Sequence, residues 1–352
     1  MPTARFSCEE FLAESHPGHS AADAPALLAA GLDLYREGDL PGASETFRAA
    51  AEADPSLAEA WNNAGIVRGQ LGDAAGSAAD FAQAIAARPG YAEARNNLAR
   101  ALQAMDDPSA LAEFDQALGY AVGDFRAVVL QNRAMLRQEL GDLTGAVADL
   151  TAALEIVSDR VATLLGRGSA RKDAGDLDGA LDDFEAALAL AHGAERAAAL
   201  HGRGGVRTLR KDFEGAVADY DLALRIDPRY LAAMISRGHA RYHLRDPRAL
   251  DDYRRAQALD PEGTLRELAR FCLDDVARDP EGVLKNCDQH LRINPQDVVA
   301  RARRGLALAI LGRDPIRDLM QFSVLAPDLV ESLNQLLELA RRMNRRAAPH
   351  SA

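Results

Sequence analysis

Proline recurs in this chain at a fixed interval, and that interval limits the fold more than any other feature. Pro55 and Pro89 lie 34 residues apart, Pro228 and Pro261 lie 33 apart, and Pro261 and Pro295 lie 34 apart. A second marker keeps the same step. Gly38-Asp39 and Gly72-Asp73 are 34 residues apart, as are Gly141-Asp142 and Gly175-Asp176, and the 69 residues between Gly72 and Gly141 hold one irregular copy. A repeat of this length is one supersecondary unit that buries its apolar face only by stacking on its neighbours.

Each copy holds two helical patterns. Trp61, Ala64, Gly65 and Arg68 follow the i, i+3, i+4, i+7 spacing of one helix face. Gly72-Asp73 interrupts the pattern, Ser77, Phe81, Ala84 and Ile85 form a second stripe, and Pro89 ends it, because proline cannot continue a helix interior. The order Trp61, Ala64-Gly65, Ser77, Phe81, Pro89 resembles the tetratricopeptide signature. It departs from that signature at Ala64, Arg68 and Ser77, whereas Ala180, Phe184 and Ala187, and Ala216, Tyr220 and Ala223, fit the second helix.

The resemblance covers about residues 24–327 and implies an all-α fold, an α-solenoid of eight to nine helix-turn-helix repeats forming a superhelix, closed by a C-terminal capping helix. Repeats start near Ala24, Ala58, Ala92, Ala127, Val161, Ala197, Leu231, Thr264 and Val298. The third and seventh are about a residue short, at Asp107-Pro108 and Asp246-Pro247, and a longer link runs through Ala191-His192-Gly193-Ala194. The eighth is degenerate around Phe271 to Arg278, and the ninth is shortened between Gly312 and Pro327. The expected organisation is a tail over 1–22 with a short helix from Glu9 to Ala13, the solenoid over 23–327, the capping helix over 328–346 with Leu329, Leu333, Leu336, Ala340 and Met343 on one stripe, and a disordered end over 347–352.

Small residues fall where two helices must approach. Gly31, Gly65, Gly168, Gly204, Gly238 and Gly305 sit mid-helix, where glycine costs about 0.5–1 kcal/mol against alanine. Helix axes 8–10 Å apart supply the common reason, with Phe47, Phe81, Phe184 and Tyr220 filling the space opposite. Gly202-Arg203-Gly204-Gly205 belongs to this pattern and follows no strand, so it is not a phosphate loop. Arg133, Arg167, Arg203 and Arg237 precede the close-approach residue, and Asp149, Asp183, Asp219 and Asp252 precede the large residue of the second helix. The co-occurrence predicts an ion pair inside each repeat. The alternative is a basic stripe that binds anions.

Two residues before each close-approach position, Asn63, Asn97 and Asn132 occupy three consecutive repeats. Asparagine competes for backbone hydrogen bonds and is a poor helix-interior residue. In the family that the sequence resembles, asparagine at this place faces the inner groove and in some members holds the backbone of an extended peptide, a task suited to a donor and an acceptor on one side chain. Asn62, Asn96, Gln131, Arg100 and Gln103 are the expected neighbours. The competing reading is that each amide bonds an adjacent helix. The Lys and Arg of the family's carboxylate clamp are missing: Leu28, Leu32, Glu93 and Asn97 stand at the matching places.

His239 and His243 are spaced i, i+4 with His201 one repeat earlier. That spacing can share a metal, but no carboxylate or cysteine completes the set, and a polar groove wall is the simpler expectation. No metal or cofactor is expected. The net charge of −12 opposes nucleic-acid binding, and no apolar run suits a membrane span. Met1–Ser20 lacks the apolar stretch of a secretory signal. Cys8, Cys272 and Cys287 form no disulfide framework and fit reduced thiols in a cytoplasmic protein. The sequence therefore predicts a non-catalytic scaffold that binds a protein or peptide in its groove, with self-assembly into a homo-oligomer as the alternative and an enzyme built into the groove a more distant one.

Overall fold

A computed structural model describes residues 20–156, 161–246, 248–260, 276, 279–327 and, within the following stretch, 330, 331, 333–335, 337 and 338. The expected short helix at Glu9–Ala13, the first helix of the eighth repeat at Thr264, and most of the capping helix lie outside these residues. Every regular element among the described residues is α-helical, and no helix among them is long and apolar enough to cross a membrane. The chain divides into two compact bodies between Ala174 and Gly175.

The N-terminal body contains α1 (Ala24–Glu37), α2 (Leu40–Ala53), α3 (Ala58–Gln70), α4 (Ala74–Ala87), α5 (Ala92–Ala104), α6 (Ala110–Tyr120), α7 (Gly123–Glu139), α8 (Leu143–Ile156) and α9 (Val161–Asp173). Each helix packs on its chain neighbours, which is solenoid stacking. The C-terminal body contains α10 (Leu177–Leu190), α11 (Gly193–Leu209), α12 (Phe213–Ile226), α13 (Leu231–His243), α14 (Ala249–Leu259), α15 (Pro280–Ile293), α16 (Val298–Ile310) and α17 (Ile316–Leu325).

The Gly-Asp marker is a two-part turn. Gly38, Gly72, Gly141 and Gly175 adopt φ of 81–86°, the left-handed conformation that stops a helix and that glycine enters without strain. The aspartate that follows caps the next helix: Asp39 accepts from the Gly42 amide at 3.0 Å, Asp73 from Gly76 at 2.8 Å, Asp142 from Gly145 at 2.9 Å and Asp176 from Gly179 at 3.0 Å. Asp212 and Asp279 repeat the cap at 3.0 and 2.8 Å. Such a cap contributes about 1 kcal/mol.

Close approach accounts for four of the mid-helix glycines. A Cβ on Gly31 would stand 2.6 Å from the Phe47 ring, on Gly65 2.7 Å from Phe81, on Gly204 2.6 Å from Tyr220, and on Gly238 2.9 Å from Tyr253. Gly202 is closed in the same way by Phe184. Gly305 departs from the expectation. Its nearest neighbours are Pro315 at 3.8 Å and Asp318 at 3.9 Å, because the shortened ninth repeat brings no aromatic ring opposite it.

Three of the four expected ion pairs form within a single body, each with one more partner than the sequence predicts. Asp149 accepts from Arg133 Nε at 2.9 Å and Nη2 at 2.5 Å, and also from Arg137 Nη1 at 2.8 Å. Asp219 is held likewise by Arg203 and Arg207, and Asp252 by Arg237 and Arg241. The carboxylates are 1–4% exposed. The second arginine stands three residues after the close-approach residue. Arg68 alone fills that role in the second repeat, bonding Asp80 at 3.1 Å. With one arginine, burial outweighs the attraction and holds the Asp80 pKa above its ordinary value. The first arginine also reaches back one repeat: Arg133 meets Asp115 at 2.5 Å and Arg237 meets Asp221 at 2.6 Å. Arg167 and Asp183 lie in different bodies.

Two helices begin a turn earlier than expected. α7 starts at Gly123 rather than near Ala127, and α11 at Gly193 rather than near Ala197, so Gly193 and Ala194 belong to a helix and not to a link. In both, the arginine one residue before the expected start closes the corner: Arg126 Nη1 donates to the Leu118 carbonyl at 2.6 Å, and Arg196 Nη1 to the Leu188 carbonyl at 2.8 Å. These bonds satisfy carbonyls that a helix end leaves open.

Near the C-terminal end, α16 packs on α13 and α14, with Ala300 in one buried cluster with Tyr242 and Ala249. Leu333 and Leu337 are buried with Leu306 and Phe322.

Gly65→Ala is expected to lower stability by about 1–3 kcal/mol, although alanine is the better helix former by about 1 kcal/mol. Adding Phe81→Leu should recover part of the loss. A neutral or stabilising Gly65→Ala in urea unfolding would contradict the close-approach account.

Candidate functional site

All eight residues of the expected peptide site lie in the N-terminal body, on α3, α5 and α7. These are the first helices of consecutive repeats, so equivalent positions come side by side. Asn62 and Asn96 are buried, whereas Asn63, Asn97 and Asn132 are partly exposed.

The amides meet one another. Asn97 Nδ2 donates to Asn62 Oδ1 at 3.1 Å, and Asn132 Nδ2 donates to Asn96 Oδ1 at 2.9 Å. Within each helix a longer contact of 3.5 Å joins Asn62 Nδ2 to Asn63 Oδ1 and Asn96 Nδ2 to Asn97 Oδ1. The result is one chain of amides running Asn132, Asn96, Asn97, Asn62, Asn63 across three helices. Asn97 and Asn132 thus serve a structural purpose, satisfying buried carbonyls that would otherwise cost about 1–3 kcal/mol each.

An asparagine amide offers two donors and two lone pairs, so the chain leaves capacity at its ends. Among the described residues the Asn63 amide nitrogen donates to no partner and the Asn132 side-chain carbonyl accepts from none. Beside them, Gln131 Nε2 donates to Thr163 Oγ1 at 2.5 Å and Gln103 Nε2 to Glu139 Oε2 at 2.7 Å. Arg100 is exposed. Sequence reasoning missed two apolar residues on the same face. Val128 and Met135, at i−4 and i+3 from Asn132 on α7, are 41% and 58% exposed. Exposure of a large apolar side chain is not readable from a helical repeat pattern, since Met135 directly follows the buried Ala134.

The same inter-repeat geometry returns in the C-terminal body with other chemistry. His201, at the place of Asn62, meets Ser236 Oγ at 3.1 Å, and Ser236 stands at the place of Asn97. Tyr230 Oη approaches His201 Nδ1 at 3.3 Å.

His239 and His243 bring their Nε2 atoms to 3.3 Å, and Arg303 Nη1 lies 3.2 Å from His239 Nδ1. The arginine can only donate, so neutral His239 carries its proton on Nε2 and donates to His243. His243 stacks on Phe213 at 4.5 Å. Arg303 is buried and lies over the Tyr242 ring. Among the described residues no group of three His, Cys, Asp or Glu is arranged to hold a metal. Cys287 is buried against Tyr242.

Helical hairpins stacked in chain order, each closed by a left-handed turn and a capped second helix, define an α-solenoid repeat protein. A tetratricopeptide repeat family model matches residues 28–79 and 165–230, so those two stretches carry tetratricopeptide repeats. Solved structures agree on the fold. A tetratricopeptide repeat protein from Parabacteroides merdae is 18% identical, with a TM-score of 0.58 over 70% of this chain and 98% of its own. A chain of the Cut9–Hcn1 hetero-tetramer of the APC/C is 15% identical, with a TM-score of 0.52 over 72% of this chain and 46% of its own. PilF of Pseudomonas aeruginosa is 17% identical, with a TM-score of 0.51 over 59% of this chain and 94% of its own. No curated protein matches the chain.

The histidine pair gives a pH prediction. Burial, then the charge of Arg303, then His243, hold the His239 pKa well below its ordinary 6.5, and burial lowers that of His290. A depressed folded pKa contributes stability that is present above the unfolded value and lost as pH falls below it. Residues 20–174 contain no histidine. From pH 7 to 5, hydrogen exchange should therefore rise in α13 and α16, after correction for intrinsic rates, and stay level in α3 and α5. Equal change in both bodies would contradict this.

Proposed function

We propose that the chain is a non-catalytic adaptor that holds an extended peptide segment of a partner protein against α3, α5 and α7. Tetratricopeptide repeats are a protein–protein interaction scaffold, and stacked first helices present one continuous face. The observation that carries the reading is the unused hydrogen-bonding capacity of Asn63 and Asn132 beside exposed Met135, Val128 and Arg100. A donor at one end of the amide chain and an acceptor at the other match a peptide backbone. Met135 and Val128 supply apolar contact, and Arg100 favours an acidic neighbour. Each neutral hydrogen bond contributes about 0.5–1.5 kcal/mol net, so affinity rests on several contacts acting together.

Asn97 and Asn132 are poor probes, because removing either strands a buried carbonyl of Asn62 or Asn96. Asn63→Ala combined with Met135→Ala leaves both inter-helix bonds in place. We expect this variant to keep its helix content and to bind the partner recovered from the source cell at least several-fold more weakly. Undiminished binding would move the site off this face.

A further inference from the structure

The second-helix side of the C-terminal body carries a feature that the repeat does not require. A pocket of about 230 Å³ opens between α12, α13 and α14. Leu224, Pro228 and the buried Met234 supply the apolar part of its lining. Arg237, 8% exposed, forms one wall and is fixed there by Asp252 and Asp221. Arg225 and Arg255 stand exposed at the rim.

Two observations set these rim arginines apart from solvating charge. Neither makes an ion pair among the described residues, and the one carboxylate in the lining, Asp221, is already engaged by Arg237 at 2.6 Å. Nor does another described repeat pair arginines there. The positions equivalent to Arg225 hold Glu52, Ala86, Gly119, Glu155, Ala189, Ala258 and Arg292, and those equivalent to Arg255 hold Ala49, Gln83, Gln116, Ala152, Ala186, Leu222 and Gln289, so among these helices no other repeat carries arginine at its Arg225 place with arginine at the Arg255 place of its own or the following second helix. In a chain of net charge −12, two unengaged guanidinium groups meet at one concave site, where charge acts more strongly than in open water.

We propose that this pocket binds a phosphoryl group. A planar guanidinium matches phosphate oxygens bidentately, two such forks at one rim suit a dianion better than a monoanion, and the apolar part of the lining accepts the carbon body of a phosphate ester. The site is independent of the peptide face on α3, α5 and α7, and its test does not depend on that reading.

The experiment titrates the full chain with inorganic phosphate, O-phosphoserine and serine at fixed ionic strength, following ¹H–¹⁵N shifts of α12–α14. Saturable shifts with both phosphates and none with serine are expected, weakened about tenfold or more in Arg225→Gln/Arg255→Gln. Arg229→Gln, which removes the same charge outside the pocket, should leave binding unchanged. Tighter binding of O-phosphoserine than of inorganic phosphate would identify a phosphorylated side chain or ester as the source, and equal binding would identify the free anion. Absence of saturable shifts, or equal weakening by Arg229→Gln, would overturn the proposal.

Discussion

A buried aspartate gripped by two arginines ties together the two helices of the fourth, sixth and seventh repeats. The carboxylate sits on the second helix one residue before the large side chain, Leu150, Tyr220 or Tyr253, that fills the hairpin. Both arginines sit on the first helix, one residue before and three after the small residue that this side chain covers. Packing contact and charge contact thus lie side by side and fix the crossing of the two helices twice over. A buried charge is costly when alone, so the brace is satisfied in one arrangement of the hairpin. The first arginine's second contact, to Asp115 or Asp221 of the preceding repeat, carries the constraint from one hairpin to the next.

Polar links between successive first helices use a second repeated geometry. Asn62 with Asn97, Asn96 with Asn132, and His201 with Ser236 occupy the same pair of places. The scaffold thus uses side-chain polarity for its own cohesion, and hydrogen-bonding capacity remains where that bonding is incomplete. The ends of the amide chain and the rim of the arginine pocket are two such places. Both are local departures from what stacking alone requires.

Much of this was legible in the sequence because repetition makes each structural demand visible several times. The period in proline and Gly-Asp set the hairpins, and the pairing of Arg133 with Asp149, Arg203 with Asp219 and Arg237 with Asp252 could be read from co-occurrence. The second arginine escaped notice because its offset matches an ordinary helix-face spacing. The early starts of α7 and α11 escaped it because Gly123 and Gly193 read as link residues, and the bond from Arg126 or Arg196 that closes the corner joins groups eight residues apart. For the asparagines the sequence leaves open a peptide groove and a bond to an adjacent helix; the inter-helix bonds of Asn97 and Asn132 depend on packing between repeats, which periodicity fixes but does not display. Gly305 looked like its counterparts because the change lies opposite it, in the shortened helix.

The brace is tested most directly by a cycle at Asp219. Asp219→Leu alone strands Arg203 and Arg207 and should cost about 3 kcal/mol in equilibrium unfolding. Combining it with Arg203→Met and Arg207→Met removes the stranded charges, and most of that loss should return. If the triple variant is as unstable as the sum of its parts, the three groups do not act as one unit, and the account of how these hairpins are held is wrong.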